Sequence, residues 1–114
     1  MGIKIILADD HKIIREGLRA LLEKEPDMEV VGEANDGIAT VRLTKNLNPD
    51  IVIMDIGMPD MNGIEATRQI ISETKGVKVI ALSMHSDRRF VLQMLKAGAS
   101  GYLLKDSAFE ELAL

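Results

Sequence analysis

The sequence predicts a doubly wound α/β fold, and three observations predict it. Five short apolar runs recur along the chain, at Ile3–Ala8, Met28–Ala34, Ile51–Met54, Val77–Leu82 and Gly101–Leu104. Stretches with helical apolar spacing separate them. The runs at Ile3, Ile51 and Val77 are almost continuous in β-branched and aliphatic residues, as strands covered on both faces should be. Strand and helix alternating in this way calls for a parallel sheet with helices as crossovers.

Each helix carries its own signals. Ile14, Leu18, Leu21 and Leu22 mark the first, which must end before Pro26 because proline lacks the N–H that a helix interior requires. Ala39, Leu43 and Leu47 mark the second, between the Asn35-Asp36-Gly37 turn and Asn48-Pro49. Ile64, Thr67, Ile70 and Ile71 mark the third, opened by Asn62 and Gly63. Phe90, Val91, Met94 and Leu95 mark the fourth, capped by Ser86 or Asp87, with Gly98 suited to its exit. Ser107-Ala108-Phe109-Glu110 has the capping-box pattern and opens a fifth, which runs for about two turns to Leu114. So short a helix depends on tertiary packing. The expected architecture is flavodoxin-like (βα)5, with a five-stranded parallel sheet in the order 2-1-3-4-5.

Bulk properties narrow the function classes. At 114 residues the chain is one domain, and 46% apolar residues is ordinary for a globular protein. No apolar run approaches the roughly 18 residues needed to span a membrane. The N-terminus has no secretory pattern. The absence of cysteine excludes disulfides and thiolate metal sites and agrees with a cytoplasmic location. A net charge of -4 argues against this segment gripping nucleic acid itself.

The chemistry sits where the strands end. The first run leads into Asp9 and Asp10, the third into Asp55, the fourth into Ser83 and the fifth into Lys105. In an open α/β sheet, residues just past the carboxyl ends of strands meet in one crevice at the switch point. Adjacent first and third strands would therefore bring three carboxylates together, where their repulsion forces protonation unless a cation joins them. A hard, oxygen-preferring ion answers that need, and Mg2+ fits best. Such a site suits phosphoryl chemistry.

These residues, with their neighbours, resemble a known family. Asp9-Asp10, Asp55 with the following Gly57-Met58-Pro59-Asp60-Met61-Asn62-Gly63, Ala81-Leu82-Ser83, Ala97-Gly98-Ala99-Ser100-Gly101-Tyr102 and Leu104-Lys105 resemble the receiver domain of bacterial response regulators. The resemblance covers essentially the whole chain, in the expected order. The stretch from Asp87 to Asp106 looks most like NarL/FixJ-type regulators, in which a helix-turn-helix DNA-binding domain follows the receiver.

The resemblance implies that Asp55 is the nucleophile that takes the phosphoryl group as an acyl phosphate. Asp9, Asp10, Asp55 and the backbone carbonyl of Gly57 would hold Mg2+, Asp10 directly and Asp9 through water. Lys105 would supply positive charge to the phosphoryl oxygens, and Ser83 a hydrogen bond. A second reading has Asp9-Asp10 capping the first helix, whose N-terminus favours negative charge. Tyr102 is either a half-buried residue with a wet hydroxyl or the aromatic that, in receivers, turns inward on activation. The usual proline after the lysine is replaced by Asp106, which leaves the geometry of that bond open.

The resemblance also implies a sensor histidine kinase as donor, and either homodimerisation or release of a C-terminal DNA-binding domain under the control of phosphorylation. It implies a transcription-regulating output domain in cis, which alone would touch DNA. Residues 1–114 are then expected to be one receiver ending inside its last helix, with the helix-turn-helix domain beyond. Such a domain assists its own phosphorylation and dephosphorylation without being a metabolic enzyme.

Other readings fare worse. A haloacid dehalogenase-like phosphatase needs a second Asp two residues after the nucleophile, where Gly57 stands. A flavin or nucleotide binder needs a phosphate-cradling loop after the first strand, where Asp9-Asp10-His11-Lys12 has the wrong charge. The presence of all five site residues weighs against a degenerate receiver acting only as an interaction module. His11 and His85 read as surface side chains, with His85 near enough to the crevice to influence water access. Met54, Met58, Met61, Met84 and Met94 read as packing residues.

Overall fold

A computed structural model of the chain describes residues 2–83 and 88–104. Five strands and four helices alternate: β1 (Ile3–Ala8), α1 (Lys12–Glu23), β2 (Met28–Ala34), α2 (Gly37–Leu47), β3 (Ile51–Asp55), α3 (Gly63–Glu73), β4 (Lys78–Ser83), α4 (Arg88–Ala97) and β5 (Gly101–Leu104). The strands are all parallel, in the order β2-β1-β3-β4-β5. The expected fold and strand order are both observed. Strand boundaries agree to within a residue, with β3 taking in Asp55 and β4 taking in Ser83. The expected capping box at Ser107 and the Ser86 or Asp87 cap fall outside the described residues.

The sheet divides the core in two because successive side chains on a strand point to opposite faces. Ile5 and Leu7 of β1, with Ile53 and Leu82, pack against Leu18 and Leu22 of α1. The alternate residues Ile6, Ala8, Val52, Met54, Val79 and Ala81 face the other side. There they meet Val41 of α2, Ala66 and Ile70 of α3 and Met94 of α4. Burial on both faces is the reason the strands read as unbroken apolar runs.

Helix boundaries follow local chemistry. Asp36 caps α2 by accepting a hydrogen bond from the Ala39 N–H at 2.7 Å, and Asn62 caps α3 through the Glu65 N–H at 2.9 Å. Asn48 takes the left-handed conformation that ends α2 (φ 50°). Gly98 leaves α4 at φ 117°, where a side chain would be strained and would also meet Ile71.

Two helices bury faces that apolar spacing marked only in part. In α2 the buried residues are Gly37, Thr40, Val41 and Thr44, while Leu47 is exposed. The hydroxyls explain it: Thr40 donates to the Asp36 carbonyl and Thr44 to the Thr40 carbonyl, each at 2.7 Å, so neither is buried unsatisfied. In α4 the buried strip is Val91, Met94 and Ala97, and Phe90, Leu92 and Leu95 remain exposed.

Candidate functional site

The carboxyl edge of the sheet gathers the acidic residues because β1 and β3 are neighbours, with Ala8 opposite Met54. Asp9 follows Ala8 directly, and Asp55 is the last residue of β3. Both are buried, at 1% and 4% exposure, whereas Asp10 faces solvent. Ser83 ends β4 and is also buried. One ligating atom from each of Asp9, Asp10, His11 and Asp55 lies within 4.8 Å of all the others. Gly57 lies two residues past Asp55 in an exposed loop, and a Cβ there would meet nothing within 4 Å.

Asp9 is held on several sides. Its N–H donates to the Ala34 carbonyl of β2 at 3.0 Å. Its Oδ1 accepts from the His11 N–H at 2.8 Å and lies 2.9 Å from His11 Nδ1. Its carbonyl accepts from Arg15 Nη1 at 2.5 Å. Arg15 Nε in turn donates to Glu33 at 3.1 Å, and Glu33 also receives Arg19 Nη1. Hydrogen bonds to Glu23 and Glu33 push the Arg19 guanidinium above its ordinary value. The effect is to fasten the loop after β1 to both α1 and β2.

The loop after β3 is fixed by backbone contacts. The Ile56 N–H donates to the Leu82 carbonyl at 3.2 Å, and the Gly63 N–H returns to the Ile56 carbonyl at 2.8 Å. Asp60 takes a left-handed conformation (φ 66°) in between. Gly63 is obligatory in this arrangement, because a Cβ there would overlap the Asp55 carbonyl oxygen.

The described residues thus bring together Asp9, Asp10 and Asp55, and Ser83 ends the neighbouring strand one residue past Leu82, the register partner of Asp55. Lys105, His85 and the Lys105–Asp106 bond lie outside them. Tyr102 is 51% exposed on β5. The helix-capping reading of Asp9 and Asp10 needs correction: the N-cap of α1 is His11, without a side-chain cap, and no acidic residue lies in the first turn. Asp9 is turned back to its own loop instead.

Two residues at the site have more to do there than their sequence shows. His11, read as a surface side chain, is half exposed but faces the carboxylates, with Nδ1 also 3.2 Å from Asp10 Oδ1. Arg15 was not singled out at all. The available signal was their position, since His11 adjoins the Asp pair and Arg15 follows it by one helical turn.

Comparison with known proteins decides the family. The family model described as the response regulator receiver domain matches residues 5–114. The chain is a response regulator receiver domain. This receiver is 49% identical over 104 residues to the transcriptional regulatory protein DegU of Brevibacillus brevis, covering 91% of the chain and 44% of that protein. It is 48% identical over 111 residues to the transcriptional regulatory protein LiaR of Bacillus subtilis, covering 97% and 53%. The receiver thus spans about half the length of these curated relatives. Among solved structures, the signal receiver domain of a NarL response regulator from Mycobacterium tuberculosis superposes with a TM-score of 0.93 at 36% identity, covering 98% of this chain and 90% of that one. The NarL-type resemblance of the sequence holds in three dimensions.

Proposed function

We propose that this receiver takes a phosphoryl group on Asp55 from a sensor histidine kinase and thereby controls an attached output domain. The observation that carries the proposal is the convergence of Asp9, Asp10, His11 and Asp55 ligand atoms within 4.8 Å. In the reaction an Asp55 carboxylate oxygen attacks phosphorus and forms an O–P bond. The P–N bond to the donor histidine breaks, and the departing imidazole keeps the electron pair and takes up a proton.

The donor set fits a hard divalent ion, since three of the four residues offer carboxylate oxygen. Asp10 and Asp55, with the Gly57 carbonyl, would hold Mg2+ directly, and Asp9 through water. The bound ion would neutralise charge shared between the phosphoryl oxygens and the carboxylates. Asp55 is only 4% exposed, so its carboxylate stands in a sheltered position at the strand end. Ser83 would hydrogen-bond one phosphoryl oxygen, and Lys105 would pair with another.

The phosphoryl group adds about 1.5–2 negative charges at the carboxyl edge, enough to shift the loops after β3 and β4. In the full protein that shift would govern a DNA-binding, transcription-regulating domain, with homodimerisation on phosphorylation. No helix among the described residues is long and apolar enough to cross a membrane. The role itself places the protein in the cytoplasm, where such kinases present their phosphohistidine. The receiver promotes its own phosphorylation and dephosphorylation and is not a metabolic enzyme.

The test is intact mass after incubation with acetyl phosphate, with and without magnesium, beside Asp55→Asn. A magnesium-dependent gain of one phosphoryl group, absent in the variant, is the expected result. A gain that persists in Asp55→Asn moves the acceptor elsewhere. No gain from acetyl phosphate or from a phosphorylated kinase leaves an interaction module.

A further inference from the structure

We propose that His11 is a nitrogen ligand of the acidic site, giving it selectivity for borderline transition metals that the carboxylates alone would not provide. The inference rests on the reading of this cluster as a divalent-metal site.

Carboxylate and carbonyl oxygens make a site for magnesium, which takes one or two carboxylates and keeps several waters. An imidazole changes the donor set, because nitrogen suits zinc, nickel and copper far better than magnesium. His11 stands where that change matters. Its backbone N–H is tied to Asp9 Oδ1 at 2.8 Å, which fixes where the ring starts. The ring's Nδ1 then faces two of the carboxylates, 2.9 Å from Asp9 Oδ1 and 3.2 Å from Asp10 Oδ1. Ligands about 2.0–2.2 Å from one zinc ion lie roughly 3–4 Å from one another. The observed limit of 4.8 Å among the four donors is reached from there by a small side-chain movement.

A ring that merely hydrogen-bonds a carboxylate presents a proton at Nδ1. A ring that ligates presents the Nδ1 lone pair and carries its proton on Nε2. The His11 side chain is 51% exposed, so the proton at Nε2 has water to bond to. Transition metals would then compete with magnesium, and phosphoryl acceptance would respond to which metal is available.

The test is competitive titration of the purified chain with Mg2+, Co2+ and Zn2+, comparing wild type with His11→Ala and His11→Gln. Pulsed EPR of the Cu2+-loaded protein reads ligating imidazole directly. The expected result is a loss of about 10–100-fold in Co2+ and Zn2+ affinity in both variants, a scale set by removal of groups that support a metal site. Mg2+ affinity should change far less, and the imidazole signal should disappear. Unchanged Zn2+ affinity or a retained imidazole signal in a variant that still binds Mg2+ overturns the role of His11 alone. A wild-type chain that binds no divalent ion overturns the metal reading of the whole cluster.

Discussion

Arg15 shows how much of the site depends on residues that do no chemistry. Its guanidinium joins the Asp9 carbonyl to Glu33, and its side chain is only 16% exposed. Arg15→Ala removes both bonds and leaves a sheltered carbonyl without this donor. We expect a loss of about 1–3 kcal/mol in urea unfolding, the usual cost of orphaning a buried polar group. Glu33 keeps Arg19 as a partner, which holds the loss within that range. Gly63 is the second such residue. Gly63→Ala forces β3 and α3 apart at the Asp55 carbonyl, and about 1–3 kcal/mol should be lost through overpacking. The same displacement moves Asp55, so acetyl phosphate labelling should fall along with stability. Labelling that stays at the wild-type level would show that the loop absorbs the methyl group without moving the carboxylate.

Helices α2 and α3 carry two further predictions. Asp36 accepts the Ala39 N–H, and Asp36→Ala should cost about 1 kcal/mol, read as a lower urea midpoint with unchanged slope. Between the two helices, Lys45 Nζ reaches Glu73 Oε1 at 2.5 Å. That hydrogen bond, helped by one from Gln69 and by the lysine charge, holds the Glu73 carboxyl below its ordinary value of 4.5 against the opposing effect of burial. A carboxyl depressed in the folded state stabilises the fold above its unfolded value. That stability is lost as pH falls through the lower, folded value. NMR titration should show Glu73 returning toward 4.5 in Lys45→Ala, and an unmoved titration would mean that the ion pair does not persist in solution. Helix α2 also marks a limit of pattern reading. Ala39, Leu43 and Leu47 announce a helix, but Thr40 and Thr44 occupy its buried face because their hydroxyls bond back to the preceding turn. Apolar spacing reports where a helix is; it does not report a polar group that brings its own partner into the core.

For the molecule as a whole, the two core layers depend on residues far apart in sequence. Met94 is fully buried and receives the Thr67 hydroxyl at its sulfur, 3.8 Å away. Met94→Ala should cost about 2–5 kcal/mol by opening a cavity between α3, α4 and the sheet. A much smaller loss would mean that the exposed Phe90 or Leu95 has turned inward to refill it.

The sequence by itself determined the element order, the strand ends and the residue types placed there. Turn residues and apolar periods act over a few neighbours, so they can be read without the fold. It also determined that Asp9 and Asp10 follow one strand and Asp55 ends another, which becomes a site only through the adjacency of β1 and β3. Tertiary structure alone decided that His11 turns toward those carboxylates, that Arg15 grips Asp9 from α1 and that threonines line the buried face of α2. Each of these depends on what stands opposite a side chain after the sheet has formed, and local periodicity carries no information about a partner brought in from elsewhere in the chain.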